Sequence, residues 1–134
     1  MNMQSTHNSG TLFNVLLKLW YTNGYVTFCA ISLRATNVNE VENITDSLLQ
    51  NDSWKDVSEY EIRDVSKSGL HVRKWRIEAD ATFSDKRYPQ KQFFIVGAPD
   101  ELLALEVATE CVMNRKNCIK VSVLNVTLKE FEHV

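Results

Sequence analysis

Between residues 11 and 35 apolar and polar positions alternate. In TLFNVLLKLWY, Phe13, Val15, Leu17 and Leu19 stand against Asn14 and Lys18, the two-residue period of a strand with one buried face. TNG follows, where Asn23-Gly24 tolerates positive φ, and YVTFCAISL returns as a β-branched and aromatic run, so the two segments are expected to form a hairpin. From Val38 the period changes. Val41, Ile44 and Leu48 recur at helical spacing, and Asn37 with Glu40 supplies a cap with an acidic partner, which predicts a helix over 38–49 with one buried stripe.

The plan then repeats. DVSEYEIRDV and LHVRKWRIEADATF flank SKSG, with Gly69 placed to release a turn, and read as a second hairpin. Pairing them about that turn sets Glu61 opposite Lys74 and Glu59 opposite Arg76 on one side, with Tyr60 opposite Trp75 on the other. Trp75 shares parity with Ile77, Ala79 and Ala81, so one face is expected to be an ion-pair ladder and the other core. After the loop SDKRYPQ, KQFFIVG reads as a strand. A second helix follows, with Pro99 at its first position, Asp100 and Glu101 at its positive end, and Leu102, Leu105, Ala108, Cys111 and Val112 as its stripe. Asn114 to Asn117 ends it, and CIKVSVLNVTL is a last strand.

A shift of 61 positions lays Glu40 on Glu101, Val41 on Leu102 and Ile44 on Leu105, and further on Tyr60 on Val121, Ile62 on Val123 and Val65 on Val126. Each half, 11–67 and 70–131, therefore reads strand, strand, helix, strand. The expected fold is α+β: one antiparallel sheet of about six strands with both helices on one face, built as a tandem β-β-α-β pseudo-repeat. Residues 11–134 form one domain, and MNMQSTHNSG, residues 1–10, reads as a flexible leader with no signal-peptide character.

Composition narrows the class. Of 134 residues 44% are apolar and 24% charged, ordinary globular values that exclude a disordered or fibrous chain. The longest apolar run, LFNVLLKLWY, is too short to span a bilayer, so no membrane association is expected. Cys29, Cys111 and Cys118 are an odd number without metal-ligand spacing, which points to a reducing cytoplasm. The sequons at Asn43 and Asn125 fall in a predicted helix and strand and read as chance.

Candidate chemistry is sparse. His7, His71 and His133 lie far apart in sequence, and no nucleophile–base pair, carboxylate pair or metal set forms locally. Four glycines are not arranged to cradle a phosphate, and no cofactor is expected. Cys111, on an apolar stripe, reads as a small core residue. Trp54, in the polar stretch QNDSWKD, has no obvious apolar neighbour and reads as a contact residue.

Charge is more informative. Between 37 and 64 the acids Glu40, Glu42, Asp46, Asp52, Asp56, Glu59, Glu61 and Asp64 face only Lys55 and Arg63, whereas from 67 to 91 basic residues outnumber acids. The acidic helix face can mimic phosphates toward a basic partner. Lys86, Arg87, Tyr88 and Lys91, in SDKRYPQKQ, can touch phosphates themselves. A sequence pI near 5.9 argues against nonspecific duplex binding as the main activity.

The runs FCAISLRATNVNEVENI with SEYEIRDV, and FFIVGAPDELLALE with VSVLNV, resemble small anti-CRISPR proteins of the type I-F class, in which one such unit packs a helix on an antiparallel sheet. This chain departs from that family in carrying the unit twice. The resemblance implies a phage or mobile-element inhibitor of a host defence complex, not an enzyme, acting in the host cytoplasm by occupying a protein or ribonucleoprotein surface. Glu40, Glu42, Asp46, Trp54, Lys86, Arg87, Tyr88 and Lys91 are the candidate contact residues. The alternatives are a small nucleic-acid-binding domain using 67–91 and a structural component that self-associates through an exposed strand edge.

Overall fold

The computed structural model describes residues 10–69 and 71–129, so His7, His133 and all but the last residue of the expected leader lie outside the described residues. Strands β1 (Thr11–Tyr21) and β2 (Val26–Ala35) form the expected hairpin, with Trp20 opposite Val26 and Gly24 at φ 92° in the turn. Helix α1 spans Val38–Leu49, and β3 (Val57–Ser66) follows a short 3-10 turn at Asp52–Trp54. The second half contributes β4 (Arg73–Phe83), β5 (Gln90–Ala98), α2 (Glu101–Met113) and β6 (Cys118–Leu128).

The strands make two three-stranded antiparallel sheets, ordered β2-β1-β3 and β5-β4-β6, and not one sheet of six. The expected β3–β4 hairpin is absent. Glu61 pairs with Lys18, Tyr60 with Leu19 and Glu59 with Trp20, all on β1, while Trp75 pairs with Val96 and Leu128. The helical crossover after β2 returns β3 to the free edge of β1, so that β3 and β4 belong to different sheets. Gly69 accordingly has no positive φ to supply, since Gly24 is the one such glycine among the described residues.

β1 explains why the sheets separate. Its odd residues Phe13, Val15, Leu17 and Leu19 are buried as the alternation predicts, but Leu16 and Lys18 on the opposite face are also only 5% exposed. A strand buried on both faces needs two covers. On the odd side α1 packs Val41 and Ile44 against β1, with Leu33 and Ala35 of β2 and Ile62 and Val65 of β3. On the even side Leu16, Val26 and Phe28 join a second core with Ile77, Ala79, Ala81 and Val96 of the second sheet and with α2. The helices therefore do not share one sheet face.

Both helix stripes match expectation in part, with Val41 in α1 and Ala108, Cys111 and Val112 in α2 buried as expected. In α1 Thr45 is fully buried and Leu48 is exposed. In α2 the buried side is Ala104, Val107, Ala108, Cys111 and Val112, leaving Leu102 and Leu105 outside. α2 touches both sheets, and alanine at 104 and 108 permits that close approach where leucine does not. Asp100 caps α2, its Oδ1 accepting from Leu103 N at 2.9 Å, so Pro99 lies just ahead of the cap and not at the first helical position.

β3 and β6 bulge at matching places. Arg63 and Ser58 are unpaired opposite the steps Leu16/Leu17 and Trp20/Tyr21, and Leu124 and Ile119 opposite Glu78/Ala79 and Thr82/Phe83. The two sheets meet where β2 crosses β5. Gly97 N donates to Thr27 Oγ1 at 2.7 Å, and Tyr25 Oη donates to Ile95 O at 2.6 Å. A Cβ on Gly97 would stand 2.8 Å from Phe28 O, whereas one on Gly69 meets nothing within 4 Å. Gly97→Ala is thus expected to destabilise by about 1–3 kcal/mol, with Gly69→Ala within about 0.5 kcal/mol of the parent, as measured by urea denaturation. Equal midpoints for the two variants would contradict the crossing.

Candidate functional site

Five acidic residues of the first half flank β3, an edge strand of the first sheet. Glu59, Glu61 and Asp64 pair with Trp20, Lys18 and Leu16 and so share the even face of the first sheet. Glu42 and Asp46 approach the same strand from the α1 side. Asp46 Oδ1 accepts from Tyr60 Oη at 3.0 Å, and Glu42 borders an open cavity of about 430 Å³ with Val38, Ile62 and Val65. Burial, then the Asp46 hydrogen bond and the Glu42 charge, push the Tyr60 phenol up to about 12. Acid thus flanks an unpaired strand edge on both sides. Such charges block strand addition and present a negative field.

Two other candidates have local duties. Glu40 closes a capping box: Asn37 Oδ1 accepts from Glu40 N at 3.1 Å, while the Glu40 carboxylate accepts from Thr36 N and Thr36 Oγ1. Trp54, expected to lack apolar neighbours, is half-buried against the α1 core, because the 3-10 turn folds it back toward Val57 and Tyr60.

The basic candidates belong to the second sheet. Lys86 and Arg87 are exposed in the β4–β5 loop, with the Arg87 guanidinium 5.4 Å from the centre of the Tyr88 ring and Tyr88 66% exposed. Lys91 is engaged, 3.3 Å from Glu78 and 3.5 Å from Asp80. Rows Lys91–Asp80–Ser122, Phe93–Glu78–Asn125 and Ile95–Arg76–Thr127 form the outer face of this sheet. Phe93 is 68% exposed there, beside a shallow cavity of about 250 Å³ bordered by Arg76, Glu78, Asn125 and Thr127.

Sequence reasoning missed the cluster that joins the halves. Lys18 Nζ lies 2.6 Å from Glu106 and also contacts Glu110; Arg63 grips Glu106 through both terminal nitrogens at 2.6 and 3.1 Å, and Trp20 Nε1 donates to Glu110 at 3.0 Å. Burial alone lowers the Lys18 ammonium pKa. The hydrogen bonds to Glu106 and Glu110 more than reverse this, so it is raised above 10.5. The Arg63 hydrogen bonds, reinforced by Lys18, hold the Glu106 carboxyl down at about 2. A lone lysine inside the run VLLKLW, and glutamates one helical turn apart on α2, were the available signals.

No cluster of His, Cys, Asp and Glu able to hold a metal ion occurs among the described residues, and no helix is long and apolar enough to cross a membrane. Cys111 is buried as expected, its Sγ 3.2 Å from both Val26 N and Val26 O, and burial pushes its thiol up. No family model, curated protein or solved structure matches the chain.

The cluster generates a stability test. Replacing Glu106 and Glu110 together by Gln strands the Lys18 ammonium, 5% exposed, and is expected to cost about 3–5 kcal/mol. Lys18→Met leaves carboxylates that still reach water and Arg63, and should cost less. Because the folded Glu106 value is depressed, its stabilisation is present above the ordinary 4.5 and is lost as pH falls toward about 2. The gap between parent and Glu106→Gln in denaturant midpoint should accordingly close over that range; a gap independent of pH would contradict the assignment.

Proposed function

We propose that the protein is a non-enzymatic binding protein, an inhibitor of the phage or mobile-element kind that occupies a basic surface of a host defence protein or ribonucleoprotein in the host cytoplasm. The observation that carries this reading is the acidic edge of β3, where Glu42 and Asp46 stand on one side and Glu59, Glu61 and Asp64 on the other. A surface that binds nucleic acid must present cations along an extended track, and a strand edge flanked by carboxylates matches that track in charge and shape. The paired bulges support reading the chain as a tandem repeat, with one copy's edge strand acidic and the other's carrying Lys120 alone.

Charge reversal tests the proposal. Glu42→Lys, Glu59→Lys and Asp64→Lys together change exposed side chains, so the thermal midpoint should move little while capture of the partner from host lysate weakens about tenfold or more and loses its salt dependence. Unchanged capture would refute it.

A second reading, single-stranded nucleic-acid binding, is favoured by the exposed Phe93 ring on the outer face of the second sheet, with Lys74 on that face and Lys86 and Arg87 in the adjoining loop. A base stacked on that ring would contribute enough that Phe93→Ala weakens oligonucleotide binding about tenfold. Fluorescence anisotropy with a labelled single strand decides it: an equal affinity for Phe93→Ala excludes the site.

A further inference from the structure

α2 carries an apolar stripe on a side that faces water. Leu102 is 78% exposed, the most exposed large apolar side chain of the described residues, with Leu105 at 40% and Met113 at 42%. Successive residues of a helix turn by about 100°, which places Leu102, Leu105, Thr109 and Met113 in one stripe opposite the buried Ala104, Val107 and Cys111. The Thr109 hydroxyl donates to Leu105 O at 2.9 Å, so it asks nothing of a neighbour. α1 provides the contrast within the same molecule, since its outward side carries Asn39, Glu42, Asn43 and Asp46.

The charges at the two ends of this stripe are opposite. Asp100 and Glu101 stand at its N-terminal end, and Arg115 and Lys116 lie just past its C-terminal end. We propose that the outward stripe of α2 is a self-association surface, on which a second copy of the chain lays its own α2 antiparallel about a two-fold axis. The register that seats Leu102 on Met113 of the second copy also brings Glu101 within reach of Lys116, and the two-fold repeats both contacts. Leu105 and Thr109 then meet near the axis. A parallel arrangement would set acid on acid, base on base and dipole along dipole, so only the antiparallel one satisfies the apolar and the charged groups together. Another protein could cover leucines, but a single helix holding both halves of its own complement specifies a copy of itself. One helix about 20 Å long buries little area, so the dimer is weak and in rapid exchange.

Sedimentation velocity of the full chain over a concentration series tests this. The parent is expected to show a monomer–dimer equilibrium that Leu102→Glu weakens about tenfold or more. Glu101→Lys should also weaken it, and adding Lys116→Glu to that variant should restore it. All three positions are exposed, and circular dichroism confirms that each variant is folded. A parent that stays monomeric up to about 0.5 mM overturns the proposal, as does a dimer indifferent to Leu102→Glu or a charge swap without recovery.

Discussion

The structure depends on the middle of β1, residues 15–19, being buried on both faces. Odd residues from Phe13 to Leu19 rest on the α1 core, and Leu16, Lys18 and Trp20 on the other face meet α2. Burying an ammonium in that second interface is costly unless it is paired, and Glu106 and Glu110 supply the pairing from one turn of one helix. α2 therefore belongs by sequence to the second half and by contact to both. The same requirement fixes Arg63, whose bulge carries its guanidinium to Glu106. At the matching bulge of β6 stands Leu124, which is exposed, and the outer face of the second sheet has no helix over it.

This asymmetry shapes the surfaces. β3 and β6 are both edge strands of eleven residues or fewer, yet β3 carries Glu59, Glu61, Arg63 and Asp64 while β6 carries Lys120 as its one charged residue. Charge on an edge resists pairing with another strand and remains available to a charged partner, which is why the functional reading settles on β3. The outer face of the second sheet holds Lys91, Glu78, Asp80 and Asn125 in contact with one another, with Phe93 exposed beside them.

Much of the fold was legible. Alternation located the strands, the Asn37–Glu40 cap set the start of α1, and parity placed Ile77, Ala79 and Ala81 inside. What failed was partnering. The residues of β3 and β4 match each other well as a hairpin, and local complementarity does not register that β1 has an open edge nearby and a second face to bury. The α2 stripe was legible in part: Ala108, Cys111 and Val112 are buried as expected, but the choice between Ala104 and Leu105 is made by the closeness of two sheets. Of the candidate contacts, Glu42, Lys86, Arg87 and Tyr88 are exposed as expected. Glu40 also serves a cap and Trp54 packs in part against the α1 core, duties the local sequence shows only for Glu40.

The central claim is that α2 and its ion cluster weld two sheets into one folding unit. Native-state hydrogen exchange across a urea series reads this directly, through the opening free energies of β1 and β4 amides. If the halves are welded, both strands exchange through the same global unfolding, with equal free energies and equal denaturant slopes. If β4 opens at markedly lower free energy and with a smaller slope while β1 stays protected, the halves are separate units and the account is wrong.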